Sequence, residues 1–132
     1  MKHNTLIRNS SQVKQAIDFS GIQNGKIHPS DIDAAFEFDN EALILIEVKR
    51  IGNEIPTGQR LLLERICDSW HTEKAIVLKV THSYPYDDTD IPLAECMVEK
   101  CYYKGEWIDR RGPLVSALNS IGKKWDIKKL KI

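Results

Sequence analysis

Apolar and polar positions change their period several times along the chain, and each change marks an element. Val13, Ala16 and Ile17 recur at helical spacing behind Ser10 and Ser11, which predicts a short serine-capped helix over about residues 12–19. Gly21 and Gln23-Asn24-Gly25 end it. After Pro29 the chain reads as a strand from about Asp31 to Phe38, a loop at Asp39-Asn40-Glu41 and a second strand from Ala42 to Lys49. The centre of that second strand, Leu43-Ile44-Leu45-Ile46, is apolar on both faces, so it is expected inside a sheet covered on both sides. Gly52 breaks it. Thr57, following Pro56, is expected to cap a helix running to about Trp70, with Leu62, Leu63, Ile66, Cys67 and Trp70 at helical spacing.

Ala75 to Val80 is the next buried strand, and strand, helix, strand in that order predicts a right-handed crossover and a mixed sheet. An acidic loop with Asp87, Asp88 and Asp90 separates it from a hairpin, Glu95–Tyr103 and Glu106–Ile108, around Lys104-Gly105. Pro113 opens a last helix with Leu114, Val115, Leu118 and Ile121 on its apolar positions. The predicted class is α/β, a mixed central β-sheet flanked by helices.

Composition narrows this picture. The 132 residues fit one domain, 1–132, and 42% hydrophobic residues suffice for a core. No apolar run approaches the ~20 residues of a membrane span, and Met1-Lys2-His3-Asn4-Thr5 does not read as a signal peptide. Three cysteines, Cys67, Cys96 and Cys101, are an odd count, which favours a reducing, cytoplasmic setting over a disulfide framework. Cys96 and Cys101, five apart on one expected strand, should face opposite sides as packing residues. Four histidines without paired spacing give no zinc motif, and His28 reads as a loop residue near Pro29. The formal charge of zero excludes a strongly basic DNA-coating protein. Charge is nevertheless uneven. In the tail 123–132, Lys123, Lys124, Lys128, Lys129 and Lys131 stand against Asp126, a local charge of +4. That tail is either a phosphate-contacting arm or a disordered, solubilising terminus.

The candidate chemistry lies in Glu47-Val48-Lys49, at the end of the most apolar strand. A carboxylate and an ammonium there are costly to desolvate unless they face a polar cleft or bind something. Two apart in a strand, they point to the same face. If the loop is Asp39-Asn40-Glu41, with Asn40 or Glu41 left-handed, then Phe38 pairs with Ala42, Phe36 with Ile44, Ala34 with Ile46, and Asp33 falls opposite Glu47. A two-residue loop shifts the register by one and scatters the group. Asp33 opposite Glu47 makes sense with a cation between them. Two carboxylates and a backbone carbonyl, that of Val48, form a hard oxygen site suited to Mg²⁺ or Mn²⁺, and Lys49 beside it can orient water. The chemistry implied is phosphodiester hydrolysis. The competing reading is an ordinary ion pair at a strand end.

Pro29-Ser30-Asp31-Ile32-Asp33 followed by Glu47-Val48-Lys49 resembles the PD-(D/E)xK nuclease signature, and the order helix, hairpin, helix, strand resembles the restriction-endonuclease-like core of that superfamily. The resemblance implies catalytic roles for Asp33, Glu47 and Lys49, with Asp31, on the same face, as the fallback aspartate. Gln59, in the first turn of the following helix, is similarly placed to a glutamine of resolvase-like and VRR-Nuc-like members. Its alternative is an ordinary first-turn polar residue. Asp90-Ile91 and Tyr102-Tyr103-Lys104-Gly105-Glu106-Trp107 more loosely resemble small phage and prophage nucleases. Many members carry a glutamate on the first helix, where this chain offers Gln12, Gln15 and Asp18. The implied protein is a Mg²⁺- or Mn²⁺-dependent endonuclease acting on phage or branched DNA in a bacterial or phage-infected cell. Its small size favours a homodimer. The alternative is a non-cleaving nucleic-acid-binding or regulatory protein. Tyr102, Tyr103 and Trp107 can stack on bases, although aromatic residues in a hairpin more commonly form cross-strand pairs.

Overall fold

A computed structural model of the chain describes residues 17–23, 25–26, 29–85 and 90–132. The chain divides after Asp31 into two units. Among the described residues of the first there is no helix or strand. Of the helix expected over 12–19, residues 12–16 lie outside the described residues and 17–19 are irregular.

The second unit, Ile32–Ile132, holds the regular elements. They are β1 (Ala34–Phe38), β2 (Ala42–Arg50), α1 (Thr57–Ser69), β3 (Ala75–His82), a 3₁₀ turn (Leu93–Glu95), β4 (Met97–Tyr103), β5 (Glu106–Pro113) and α2 (Leu114–Lys124). The strands form one mixed sheet in the order β1-β2-β3-β4-β5. Only β2 and β3 are parallel, and α1 provides the crossover that a parallel pair requires.

The β1–β2 turn sets the register. Asp39 (φ 53°) and Asn40 (φ 60°) are both left-handed, and the Glu41 N–H donates to the Phe38 carbonyl at 2.8 Å. Asp and Asn tolerate this region better than Glu, so the strained pair is Asp39-Asn40 rather than the expected Asn40 or Glu41. The loop still spans three residues, and Phe38↔Ala42, Phe36↔Ile44 and Ala34↔Ile46 pair as the three-residue turn predicts.

Both faces of β2 are covered, as its unbroken apolar run requires. Ala42, Ile44 and Ile46 join Ile76, Leu78 and Val80 beneath Leu114, Ala117, Leu118 and Ile121 of α2. Leu43 and Leu45 join Ala75 and Val77 beneath Leu63 and Cys67 of α1. The spacing around Pro56 predicts a Thr57 cap. Instead Thr57 is the first helical residue, and Pro56, with ψ 147° at its fixed φ, occupies the cap position without a side-chain bond.

Two further expectations change. Glu95 belongs to the 3₁₀ turn, and β5 continues past Ile108 to Pro113. A bulge shifts the β4–β5 register between Val98 and Lys100, so Val98 and Cys101, three apart, both enter the α2-side core. Cys96 packs there too, so Cys96 and Cys101 share one core instead of facing opposite sides. All three cysteines are free and buried, and burial pushes their thiols up, that of Cys67 to about 12.

The tail folds back on α2 rather than forming a loose terminus. Trp125 and Leu130 are buried in the α2-side core. Ile127 N–H donates to the Gly122 carbonyl at 2.8 Å, and Asn119 exchanges two hydrogen bonds with the Ile132 backbone. Gly122 permits this return, since a Cβ there would lie 2.5 Å from the Leu130 carbonyl oxygen. Among the described residues, no helix is long and apolar enough to cross a membrane.

Candidate functional site

Strand β2 presents Leu43, Leu45, Glu47 and Lys49 in succession to the α1 side of the sheet. Glu47 is 0% exposed, and among the described residues neither of its carboxylate oxygens has a partner in good hydrogen-bond geometry, the Lys49 ammonium and the Asp33 backbone N–H giving only weak contacts. Among the described residues, the Lys49 ammonium forms an ion pair with it, Nζ lying 3.4 Å from Oε2. Burying a carboxylate without hydrogen bonds disfavours its charged form. Desolvation first, and the neighbouring charge of Asp33 second, raise Glu47 to about 7, while Lys49 acts in the opposite sense.

Asp33 stands one residue before β1, on the same face by strand alternation. Its Oδ2 accepts a hydrogen bond from the Val48 N–H at 2.8 Å, just beyond the last β1–β2 pair, Ala34↔Ile46. The N–H and C=O of one strand residue leave the backbone on the same side. The Val48 carbonyl is therefore directed to the Asp33 side of β2, away from β3. Lys49 Nζ donates to Gln59 Oε1 at 3.3 Å, and Gln59 lies in the first turn of α1 because the crossover returns over the end of β2. Asp33, Glu47, Val48, Lys49 and Gln59 thus come together.

Asp31 belongs to the first unit. So does Asp18, whose carboxylate accepts the Ser20 N–H at 2.9 Å and is held below its ordinary pKa by that bond. Gln12, Gln15, His28, Asp87 and Asp88 lie outside the described residues.

The four tail lysines are placed elsewhere. Lys123 and Lys124 end α2, which covers the opposite face of the sheet from Glu47. Lys129 pairs with Asp39 at 3.0 Å in the β1–β2 turn, and Lys128 is its neighbour. From that end of β2 to Glu47 is about five residues, ~17 Å at strand rise. A phosphate held at Glu47 is out of reach of these lysines in the same chain. Tyr102 and Trp107 form a cross-strand pair, ring centroids 5.4 Å apart, tied to α1 through Asp68 (2.8 Å) and Glu64 (2.7 Å). They are occupied as structural residues.

One neighbour was missed by the sequence argument. Lys79, 1% exposed, is the register partner of Glu47 on the same face. Its ammonium contacts both oxygens of Glu99, at 2.9 and 3.2 Å, and lies 3.9 Å from Glu54. A charge in a buried strand is the same signal that singles out Glu47, and Lys79 interrupts Ala75–Val80 in that way. Glu99 has no such signal, because the β4 bulge decides which way it faces.

Among the described residues, no three His, Cys, Asp or Glu side chains converge on one point as a metal cluster. The site offers two carboxylates and a carbonyl, hard oxygen donors that leave positions of an octahedral ion for water or a substrate oxygen. No protein-family model matches the chain, and no curated protein or solved structure is significantly similar to it.

Proposed function

We propose that Ile32–Ile132 is the core of a PD-(D/E)xK-type nuclease that hydrolyses phosphodiester bonds in DNA with Mg²⁺ or Mn²⁺. The observation that carries this reading is the Glu47 carboxylate, fully buried, without a partner in good hydrogen-bond geometry among the described residues, and coupled to Asp33. An orphaned carboxylate beside a second one is poorly explained as packing and well explained as an ion site, so the donor set fits a hard divalent cation. The hairpin, crossover helix and parallel strand around it support a restriction-endonuclease-like core.

Asp33, Glu47 and the Val48 carbonyl would hold the cation. When bound, such an ion neutralises phosphate charge and acidifies a coordinated water. Lys49 has three N–H donors; one faces Glu47 and one Gln59, which leaves one for an attacking water or a phosphate oxygen. Gln59 fixes that orientation. In the hydrolysis the water oxygen bonds to phosphorus, the bond to the leaving nucleotide oxygen breaks, and that oxygen gains a proton. The tail lysines, on the far side of the sheet, bind a separate stretch of DNA or a strand held by the second copy of a homodimer.

The test is incubation with supercoiled, linear, single-stranded and four-way DNA plus Mn²⁺. At least one substrate is expected to be cut. Glu47→Ala and Lys49→Ala should each lose ~100-fold or more, and Gln59→Ala, which acts on the site through Lys49, about tenfold. A wild-type protein that cuts none of them overturns the enzyme reading. The second reading, a non-cleaving DNA-binding protein, is favoured because, among the described residues, no third His, Cys, Asp or Glu joins Asp33 and Glu47. DNA retention without cleavage in the same assay identifies it.

A further inference from the structure

Two fully buried charged groups stand side by side on this sheet and do not pair. Glu47 and Lys79 are register partners on adjacent parallel strands. Such neighbours on one face lie roughly 5 Å apart at the backbone, well within reach of a lysine side chain. The Lys79 ammonium is turned instead to Glu99, which grips it with both oxygens at 2.9 and 3.2 Å. Glu99 reaches it from the bulge where the β3–β4 and β4–β5 registers both shift. Glu54, 76% exposed, adds a looser contact to Lys79 at 3.9 Å and also meets Lys100 at 3.6 Å.

A second lysine on Glu47, added to Lys49 at 3.4 Å, would place its ammonium where a cation is to bind. We infer that Glu99 is a positioning residue that holds Lys79 away from Glu47 and so keeps the Glu47 carboxylate open to a divalent cation. Glu99 and Lys79 touch neither the ion nor the substrate; they act through Glu47. The bulge takes Glu99 out of regular pairing at the step where Lys79 faces Lys100. The inference rests on the reading that Asp33 and Glu47 hold a divalent cation.

The experiment is Mn²⁺ titration by electron paramagnetic resonance on the full chain, with folding checked by circular dichroism. Wild type is expected to bind Mn²⁺. In Glu99→Gln the freed ammonium swings to Glu47, and the Mn²⁺ Kd should rise at least tenfold. In the double variant Lys79→Met, Glu99→Gln the Lys79 ammonium is gone and only the Lys49 contact of wild type remains, so Kd should return to within about threefold of wild type. A purely structural role cannot account for that rescue. Unchanged affinity in folded Glu99→Gln overturns the inference while leaving the cation reading intact. Should Glu99→Gln fail to fold, the double variant decides: wild-type affinity supports the inference, and lost affinity makes Glu99 a ligand and overturns it. A wild type that binds no Mn²⁺ overturns the cation reading itself.

Discussion

Replacing Glu47 by glutamine is expected to abolish cleavage and to make the protein more stable. The two effects have one cause. Glu47 is sealed from solvent and, among the described residues, neither oxygen has a partner in good hydrogen-bond geometry; its countercharge there, Lys49, is 3.4 Å away and shared with Gln59. Its carboxyl is raised from 4.5 to about 7, so at pH 8 the folded chain carries an ionised group that its surroundings disfavour. At ~1.4 kcal/mol per unit, that amounts to about 3 kcal/mol, which sets the upper limit of what a neutral amide of the same shape recovers. The amide cannot replace the carboxylate as an anionic ligand, so cleavage with Mn²⁺ should fall ~10³-fold or more. Urea unfolding at pH 8 without metal, alongside plasmid cleavage, measures both quantities. A Glu47→Gln protein less stable than wild type at that pH contradicts the account, because it means the carboxylate is well satisfied.

The same group predicts an unusual pH dependence. A carboxyl whose pKa is higher in the folded than in the unfolded chain binds more protons when folded. Its contribution is therefore fully present below about 4.5 and is lost as pH rises to about 7. The metal-free protein should lose about 3 kcal/mol of stability across that window from this group, where many proteins change little. Groups with lowered pKa, such as Glu64 beside Trp107, act in the opposite sense but titrate below the window. Mn²⁺ reverses the trend, because it binds the ionised, folded form: at 100 times its Kd it adds ~2.7 kcal/mol, most effectively above pH 7. Denaturation series at pH 5 and pH 8, with and without Mn²⁺, provide the check. In Glu47→Gln both the pH slope and the Mn²⁺ response should vanish.

The parts of this site that can be read in the sequence are those that depend on local rules. A three-residue loop fixes the hairpin register, strand alternation then places Asp33 with Glu47 and Lys49, and an apolar run broken by charge marks where the buried carboxylate sits. Gln59 follows from the length of the crossover between two parallel strands. What stayed hidden depends on irregularity or on distant packing. The bulge at Glu99 breaks the alternation on which face assignments rest, which hid the Lys79–Glu99 pair and misassigned Cys96 and Cys101 to opposite sides. The lysine-rich tail reads as an arm because its charge conceals two anchors, Trp125 and Leu130, whose burial depends on the close approach that Gly122 allows. Lys123 and Lys124 lie on the far face of the sheet because α2 carries them there, and Lys129 is held at the β1–β2 turn by Asp39.

Asp33, just before β1, and Glu47 of β2 are expected to hold one divalent cation jointly. Mn²⁺ titration of wild type and Asp33→Ala tests it most directly. Asp33 is exposed and its loss leaves the two-sided core untouched, so the variant should remain folded. One Mn²⁺ bound per chain in wild type, and none at the same concentrations in Asp33→Ala, is the predicted result. Equal binding by the two proteins, or no binding by wild type, contradicts it.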